Sequence, residues 1–176
     1  MAARARLFFL SGAWHGSWCW TRHVTPLLSQ LRYECIPIEY PRTMHPKQPA
    51  RFQDYVTFTV QQIEREHAKD STKPNVVIAH SFGGIIGSNA VETVMKDKGI
   101  EIHGIIHVCS TALCNGQNAL DDCVEHELFN KSKWTDSCQS IHDGKWNQLR
   151  SECVTDLLYH DCKENDIEFA EHKLVP

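Results

Sequence analysis

The sequence predicts an α/β protein with a mostly parallel sheet. Three observations predict it: four apolar runs of strand length lie before residue 110, helical patterns with one apolar stripe separate them, and no internal repeat breaks the alternation. Near-continuous apolar runs are typical of strands that are buried on both faces. Because helices between such strands form the crossovers of a parallel sheet, we expect helices packed against it.

The four predicted strands end at residues that interrupt extended structure. They span residues 6–11, 35–40, 75–79 and 104–109. Gly12 follows the first run and Pro41 follows the second; glycine permits a tight turn, and proline lacks the amide hydrogen that a strand needs. Since ligands of open parallel sheets bind at the carboxyl ends of the strands, we expect functional residues directly after positions 11, 79 and 109.

Three helices are predicted between these strands, over residues 17–31, 52–67 and 84–96. Pro26 interrupts the first and is expected to kink it. The second shows its period most clearly, because its apolar residues return at helical spacing and form one buried stripe. The residues of that stripe are Phe52, Tyr55, Val56, Val60 and Ile63.

The sequence from Asn115 onward differs in composition and pattern, since it is more polar and its helical patterns are short. We predict small helices there, arranged as a cap over the strand ends. They span residues 121–130, 146–158 and 163–173. The 176 residues are thus predicted to form one domain, with a core of about residues 5–113 and a helical cap of about residues 114–173.

Composition excludes several classes of function. The 18 Lys and Arg are scattered among 22 Asp and Glu, and a net charge of -4 leaves no basic stripe for nucleic acid or an anionic membrane. The N-terminal apolar stretch has four residues, too few for a secretory signal, and no window approaches the ~18 apolar residues of a membrane span. We therefore expect a cytoplasmic protein that binds neither nucleic acid nor membrane.

Eight cysteines raise the questions of disulfides and of metal. No Cys-x-x-Cys pair occurs, and a chain with its own core does not need the cross-links of small secreted domains, so we expect reduced thiols. Partial metal sites could be drawn from His107, Cys109 and Cys114, or from Cys123 and His126. Neither set has the paired spacing of a zinc site. We predict no metal and no cofactor.

A candidate nucleophile lies where the third strand runs into a helix. The segment is Ala79-His80-Ser81-Phe82-Gly83, with small residues two positions before and after the serine. A serine on a strained strand-to-helix turn holds its hydroxyl above the sheet only if Ala79 and Gly83 let strand and helix pass closely. The alternative is a serine that only caps the helix. The context of strand, turn and helix favours a nucleophile elbow.

A candidate oxyanion hole comes from the loop after the first strand, which reads Gly-Ala-Trp-His-Gly from Gly12 to Gly16. Glycine lets this backbone turn its N–H groups toward Ser81. A tetrahedral oxyanion needs fixed donors, and the N–H groups of Ala13 and Phe82 could supply two of them. Taken alone the loop would be a plain turn that requires glycine. Paired with the elbow, it favours an oxyanion hole.

These segments resemble the α/β-hydrolase superfamily, and within it the branch of methylesterases and hydroxynitrile lyases with their bacterial esterase relatives. The resemblance rests on residues 12–20, on the elbow at residues 79–84 and on residues 159–162 with the acidic helix after them. It extends over essentially the whole chain. It implies a serine esterase that is acylated at Ser81 by a small ester, with the two oxyanion donors named above and a helical cap that shapes the pocket.

Two positions depart from the family's pattern. The family usually begins the oxyanion loop with His-Gly, whereas this chain has Ser11 in the place of the histidine, which we expect to loosen the loop without removing its donors. Hydroxynitrile lyases of this branch carry threonine where this chain has Gly12. Esterase chemistry is therefore the closer match, with a lyase as an alternative.

The triad acid and general-base histidine of the family are not evident in this sequence. In this fold both follow the serine, on loops after later strands. Completing the fold after the cap would take roughly 30 residues, and three remain. His15 and His107 lack an evident carboxylate, His80 projects away from its neighbour, and His160-Asp161 is expected to bond locally. We therefore expect a truncated esterase with impaired activity.

Two other functions stay open. A pseudoenzyme would keep the pocket and bind a small ligand without turnover, and a fragment could be completed in trans by another polypeptide. The missing strands would also leave the far edge of the strand at residues 104–109 unpaired. Because an apolar, unpaired edge invites pairing with another chain, we expect homodimers or association through that edge.

Overall fold

The computed structural model of the chain describes residues 3–40, 50–110, 113, 136–141 and 146–174. The chain divides into two compact units, Met1–Ala112 and Leu113–Pro176. The first unit contains four parallel strands in the order β2-β1-β3-β4. The predicted α/β fold with a parallel sheet is confirmed. The strands are β1 (Arg6–Leu10), β2 (Glu34–Pro37), β3 (Asn75–His80) and β4 (Gly104–Val108).

The strand bounds differ most from prediction at β2. This strand is predicted to reach Tyr40 but ends at Pro37, whose ring removes the amide hydrogen that the ladder needs. One more hydrogen bond follows, from the Ile38 amide to the Phe9 carbonyl at 2.9 Å. β1 is buried along its whole length, as expected of a central strand that is covered on both faces.

The first predicted helix is interrupted. Residues 17–31 form two helices, α1 (Trp18–Thr21) and α2 (Val24–Gln30), with the break before Pro26. The expected kink at Pro26 is wrong, because this residue lies in the first turn of α2. Amides of a first turn have no acceptor within the helix, so proline is tolerated there.

The next two helices match their predictions closely. α3 (Phe52–Lys69) and α4 (Phe82–Asp97) cover the predicted residues and extend slightly beyond them. The buried stripe of α3 includes Val56, Val60 and Ile63, as the spacing predicts. These side chains and those of α4 pack against the sheet and form the larger of two hydrophobic clusters.

The core extends over both faces of the sheet, because successive side chains of a strand point to opposite sides. In β1, Phe8 and Leu10 belong to the larger cluster with α3 and α4. Leu7 and Phe9 belong to a smaller cluster that includes Trp20 of α1. β1 therefore holds the strand end and the loop after it at the centre of the first unit.

β4 forms one edge of the described sheet. Its side chains Ile106 and Val108 are 52% and 39% exposed. The intervening Ile105 belongs to the partly buried residues that pack against the larger cluster. This strand, Gly-Ile-Ile-His-Val, carries none of the lysine, carboxylate or proline residues that protect edges from pairing. Association through this edge stays a prediction.

The second unit contains an antiparallel pair, β5 (Cys138–Ile141) and β6 (Trp146–Leu149). The helix predicted over residues 146–158 is therefore wrong in its first part. Tryptophan and leucine in so short a segment suit a strand as well as a helix, and the partner strand decides between them. A local pattern does not reveal that partner.

The rest of the second unit is helical in short pieces. A 3-10 turn (Ser151–Cys153) and a π-helical segment (Thr155–Tyr159) precede α5 (Glu164–Glu171). The helix predicted over residues 163–173 is confirmed by α5. The helix predicted over residues 121–130 lies outside the described residues. The division into a core and a cap stays a prediction.

Candidate active site

Ser81 lies between β3 and α4 with a strained backbone. Its φ is 51° and its ψ is -126°, and residues other than glycine rarely adopt a positive φ. Such conformations cost about 1–3 kcal/mol each and cluster at functional sites. Its hydroxyl makes no capping hydrogen bond to α4, although the residue occupies the N-cap position. Helix capping therefore does not explain the serine.

Gly83 is required because α4 approaches the end of β1 very closely. A Cβ atom at position 83 would lie 2.7 Å from the carbonyl oxygen of Ser11 and 2.8 Å from that of Leu10. Both are backbone atoms, so no side-chain movement relieves the contact. Ala79, two residues before Ser81, is fully buried in the larger cluster. The structure thus shows the close passage of strand and helix for which the sequence predicts small residues.

The loop after β1 lies directly against the elbow. A Cβ atom at Gly12 would be 3.0 Å from both the Ser81 Cβ and the His80 Nδ1. The next residue, Ala13, accepts a hydrogen bond at its carbonyl from the His15 ring (2.6 Å). The backbone hydrogen bonds of turns and loops in the described chain do not use the amides of Ala13 or Phe82. Those two amides stay predicted oxyanion donors.

Two hydrogen-bonded contacts fasten the ends of this loop. Ser11 is fully buried, and its hydroxyl donates to the Gly16 carbonyl at 2.9 Å. The Glu39 carboxylate, just beyond β2, accepts from the amide (3.0 Å) and the hydroxyl of Ser17. Ser11 was expected to loosen the loop, whereas its hydroxyl closes it. Sequence reasoning missed Glu39, whose one signal is a carboxylate placed at the carboxyl end of a strand.

Two histidines near the elbow have lowered pKa values. Burial lowers the pKa of His80, whose ring lies edge-on to Trp20 with centroids 6.5 Å apart. Burial also lowers the pKa of His15, where the hydrogen bond to Ala13 opposes the shift and the neighbouring His80 adds to it. Both rings are therefore neutral near pH 7.

The third histidine of this region, His107, belongs to a polar group at the end of β4. Its Nδ1 lies 3.5 Å from the Ser110 hydroxyl, which in turn donates to the Ser81 carbonyl at 2.6 Å. Sequence reasoning did not single out Ser110. Its one signal is a hydroxyl residue just after the strand that pairs with β3.

The other predicted candidates were the His160-Asp161 pair and the two partial metal sites. His160 and Asp161 form a local pair, with His160 Nε2 and Asp161 Oδ2 3.3 Å apart on the exposed surface of the second unit. Among the described residues, no group of three or more His, Cys, Asp and Glu side chains could hold a metal ion. Cys114, Cys123 and His126 lie outside those residues.

A parallel sheet, a strained serine between strand and helix, and a glycine loop against it together match a known architecture. The model of the alpha/beta hydrolase family matches residues 7–152. The chain belongs to the alpha/beta hydrolase family. No curated protein sequence matches the chain.

Solved structures similar to this hydrolase include polyneuridine aldehyde esterase, with a TM-score of 0.76 and 16% identity over 98% of this chain and 68% of that one. Tomato methylketone synthase I, complexed with 2-tridecanone, has a TM-score of 0.75 and 18% identity over 99% and 67%. A third structure is an extracellular alpha/beta-hydrolase from a Paenibacillus species, described as sharing structural and functional homology with tobacco salicylic acid binding protein 2. Its TM-score is 0.71, with 15% identity over 98% of this chain and 66% of that one.

These likenesses establish the fold of the hydrolase. The chain spans about two thirds of the length of these structures. The predicted resemblance to the α/β-hydrolase superfamily is confirmed by the family match, and esterases are among the chains that share its fold.

Proposed function

We propose that this α/β hydrolase is a serine hydrolase of the carboxylesterase type, which acts on small esters through an acyl-enzyme. The observation that carries the proposal is Ser81, held at φ 51° between β3 and α4 with the glycine loop against it. A strained serine at this position matches the nucleophile elbow of the fold. Esterases among the structural neighbours support the proposal.

In the proposed reaction, Ser81 Oγ attacks the ester carbonyl and a C–O bond forms as the hydroxyl proton leaves to a base. The negative charge moves to the carbonyl oxygen, where the N–H groups of Ala13 and Phe82 would stabilise it. The tetrahedral intermediate then expels the alcohol, which takes up a proton, and leaves an acyl group on the serine. Water hydrolyses this acyl-enzyme in a second cycle of the same steps.

We expect slow turnover from these 176 residues. In this fold the triad acid and the general-base histidine lie on loops after later strands, and neither is evident after the elbow serine of this sequence. In a serine triad, a carboxylate orients the general-base histidine and stabilises its protonated form. In a protease that lost its triad, the oxyanion hole and binding still gave an acceleration of about 10³–10⁴ over water.

A fluorophosphonate probe tests the proposal, because it forms a covalent P–O bond with an activated serine as fluoride leaves. We expect slow labelling that peptide mass spectrometry places on Ser81, and weak hydrolysis of p-nitrophenyl acetate. Ser81→Ala should abolish both. Ser88→Ala is the matched control, since it removes a hydroxyl of the same helix, one that donates to the Gly84 carbonyl.

The outcomes separate the esterase from the alternative. Labelling that persists in Ser81→Ala, or no labelling of the folded wild-type chain, would overturn the proposal. Small-molecule binding without labelling would instead identify a ligand-binding pseudoenzyme. Turnover comparable to that of an intact esterase would contradict the expected impairment.

A cytoplasmic location is part of the proposal. Six cysteines of the described residues are free thiols, and free thiols persist in the reducing cytosol. Within the described ranges, no helix is long and apolar enough to cross a membrane. The free cysteines are Cys19, Cys35, Cys109, Cys138, Cys153 and Cys162.

A further inference from the structure

We infer that Ser110 is a positioning residue that orients and polarises the oxyanion donor at Phe82. The inference rests on the proposed function, since it assigns a task within the same site. The Ser110 hydroxyl donates a hydrogen bond of 2.6 Å to the carbonyl oxygen of Ser81. That carbonyl and the N–H group of Phe82 belong to one peptide unit.

The peptide geometry transmits the contact. A peptide unit is planar and trans, so its C=O and N–H groups point in opposite directions. Fixing the Ser81 carbonyl therefore fixes the direction of the Phe82 amide. A hydrogen bond to the carbonyl also polarises the unit and strengthens its N–H group as a donor. An oxyanion hole needs donors that are fixed in direction before the charge develops.

The same carbonyl receives a second donor from the helix. The Gly84 amide donates to it at 2.9 Å, as the first turn of α4 requires. On the other side of the strained residue, the Ser81 amide donates to the Val108 carbonyl at 3.4 Å. Both backbone polar groups of Ser81 are thus bonded to the segment that ends β4, which is a third strand beside the two that form the site.

The position of Ser110 depends on two local features. Cys109 has a φ of 42°, so the chain turns sharply between the end of β4 and Ser110. Gly84 leaves the space that the hydroxyl occupies, because a Cβ atom there would lie 1.8 Å from Ser110 Oγ and 2.8 Å from His107 Nδ1. A side chain at position 84 and the hydroxyl at position 110 exclude each other.

His107 lies beside this hydrogen bond. Because the Ser110 proton is donated to the Ser81 carbonyl, Ser110 Oγ is left as an acceptor toward His107 Nδ1, 3.5 Å away. A hydrogen bond across this distance requires the imidazole proton on Nδ1. In that tautomer, a chain of donors runs from His107 through Ser110 to the peptide unit of the elbow.

The kinetic test compares Ser110→Ala with Ser110→Thr, which keeps the hydroxyl, and with Ser88→Ala, which removes a different hydroxyl bound to α4. We expect Ser110→Ala to lower the maximal rate of fluorophosphonate labelling about tenfold. This is less than the rate loss of about 10²–10³ that follows removal of a whole oxyanion donor, because the Phe82 amide itself remains. The probe concentration for half-maximal rate should stay unchanged, since the contact acts on the charged transition state. Ser110→Thr should restore the rate, and Ser88→Ala should match the wild type.

A spectroscopic measurement tests the contact independently of any reaction. With selective ¹⁵N-phenylalanine labelling, the Phe82 amide resonance should move upfield in Ser110→Ala and stay in place in Ser88→Ala, because loss of a hydrogen bond at a carbonyl weakens polarisation of the following N–H group. If Ser110→Ala does not fold, Ser110→Cys keeps the side-chain volume with a weaker donor and should give a smaller shift in the same direction.

The outcomes distinguish the two hypotheses. Absence of labelling at Ser81 in the wild type overturns the proposed function, while the Phe82 resonance still decides the contact. Normal labelling in Ser110→Ala together with an unmoved Phe82 resonance overturns the role of Ser110. Slower labelling that Ser110→Thr does not restore, or a changed half-maximal concentration, would show a general structural effect and also overturn it.

Discussion

The two ends of the same parallel sheet are built in opposite ways. At the amino end, Arg6 of β1 is fully buried, and two of its three guanidinium nitrogens donate hydrogen bonds, while Nε has an ion-pair contact without a hydrogen bond. Its Nη1 donates to Asn75 Oδ1 at 3.1 Å, its Nη2 to the Asp70 carbonyl at 3.4 Å, and its Nε lies 3.5 Å from a Glu34 carboxylate oxygen. Glu34 is also paired with Lys73.

The carboxyl end instead holds strained backbone. Among the described residues other than glycine, positive φ values occur at Trp14 (64°), Ser81 (51°) and Cys109 (42°), which follow three neighbouring strands, and at Arg32 (66°) before β2. Strain of this kind persists only where surrounding contacts impose it. The comparison teaches that one end of the sheet places opposite charges together, which favours stability, while the other end holds the backbone around the candidate nucleophile in strained conformations.

Removing the buried cation should have the largest effect. Arg6→Ala removes a fully buried side chain, leaves Asn75 Oδ1 without its donor and leaves Glu34 paired with Lys73 alone, so it should lower the free energy of unfolding by about 3 kcal/mol. Urea denaturation measures this. The control is Arg65→Ala, an exposed arginine paired with Glu66, which should cost less than about 1 kcal/mol. Equal losses in the two variants would contradict the contrast between the ends of the sheet.

Crowding the elbow should have the next largest effect. Gly83→Ala places a Cβ atom against two backbone carbonyl oxygens and should destabilise the fold by about 1–3 kcal/mol while abolishing labelling of Ser81. Gly104→Ala is the matched control, since a Cβ atom there meets nothing within 4 Å. A Gly83→Ala protein with wild-type stability and labelling would mean that strand and helix are not as close as described.

The buried histidines at the carboxyl end should make stability depend on pH. Burial lowers the pKa of His15 and His80 below the ordinary value of 6.5, so the unfolded chain takes up protons more readily as the pH falls through that value. The free energy of unfolding should therefore fall below about pH 6.5, until the lowered folded pKa is passed, with a slope of at most about 1.4 kcal/mol per pH unit for each group.

Urea denaturation of the wild type and of His80→Gln between pH 5 and 8 measures this slope. The variant should be less sensitive to pH, since it lacks one of the two groups. An identical slope in both proteins would show that His80 titrates alike in the folded and unfolded chains.

Stability at the amino end of the sheet should depend on a lower pH range. Burial raises the pKa of Glu34, but hydrogen bonding to Lys73 and the charge of Arg6 outweigh it and hold that pKa below its ordinary value.

The smallest effect on stability is expected at the edge strand, where we propose that the chain associates with a second copy. Ile106→Lys adds a charge to an exposed position of β4 and should change the free energy of unfolding by less than about 0.5 kcal/mol. Sedimentation velocity should show concentration-dependent association of the wild type and a monomer for the variant. Leu27→Lys, an exposed leucine on α2, should leave association unchanged. A monomeric wild type would refute association through this edge.

The elbow could be read from the sequence because its signal is local. Ala79, Ser81 and Gly83 stand within five residues, and the buried run before them and the helical spacing after them are properties of a continuous segment. Gly12 could be predicted for the same reason, since it directly follows an apolar strand. Periodicity also predicted the order of the strands and of α3 and α4 along the chain.

The contacts that hold those residues in place were decided by tertiary structure. Ser110 is 29 residues from the Ser81 carbonyl, Glu39 is 22 residues from Ser17, and Arg6 is 69 residues from Asn75. Each contact depends on which strands are neighbours and on their register, and neither is a property of a local window. The sequence by itself therefore determined the nucleophile candidate and the class of fold, while only the paired strands determined what orients the peptide beside it.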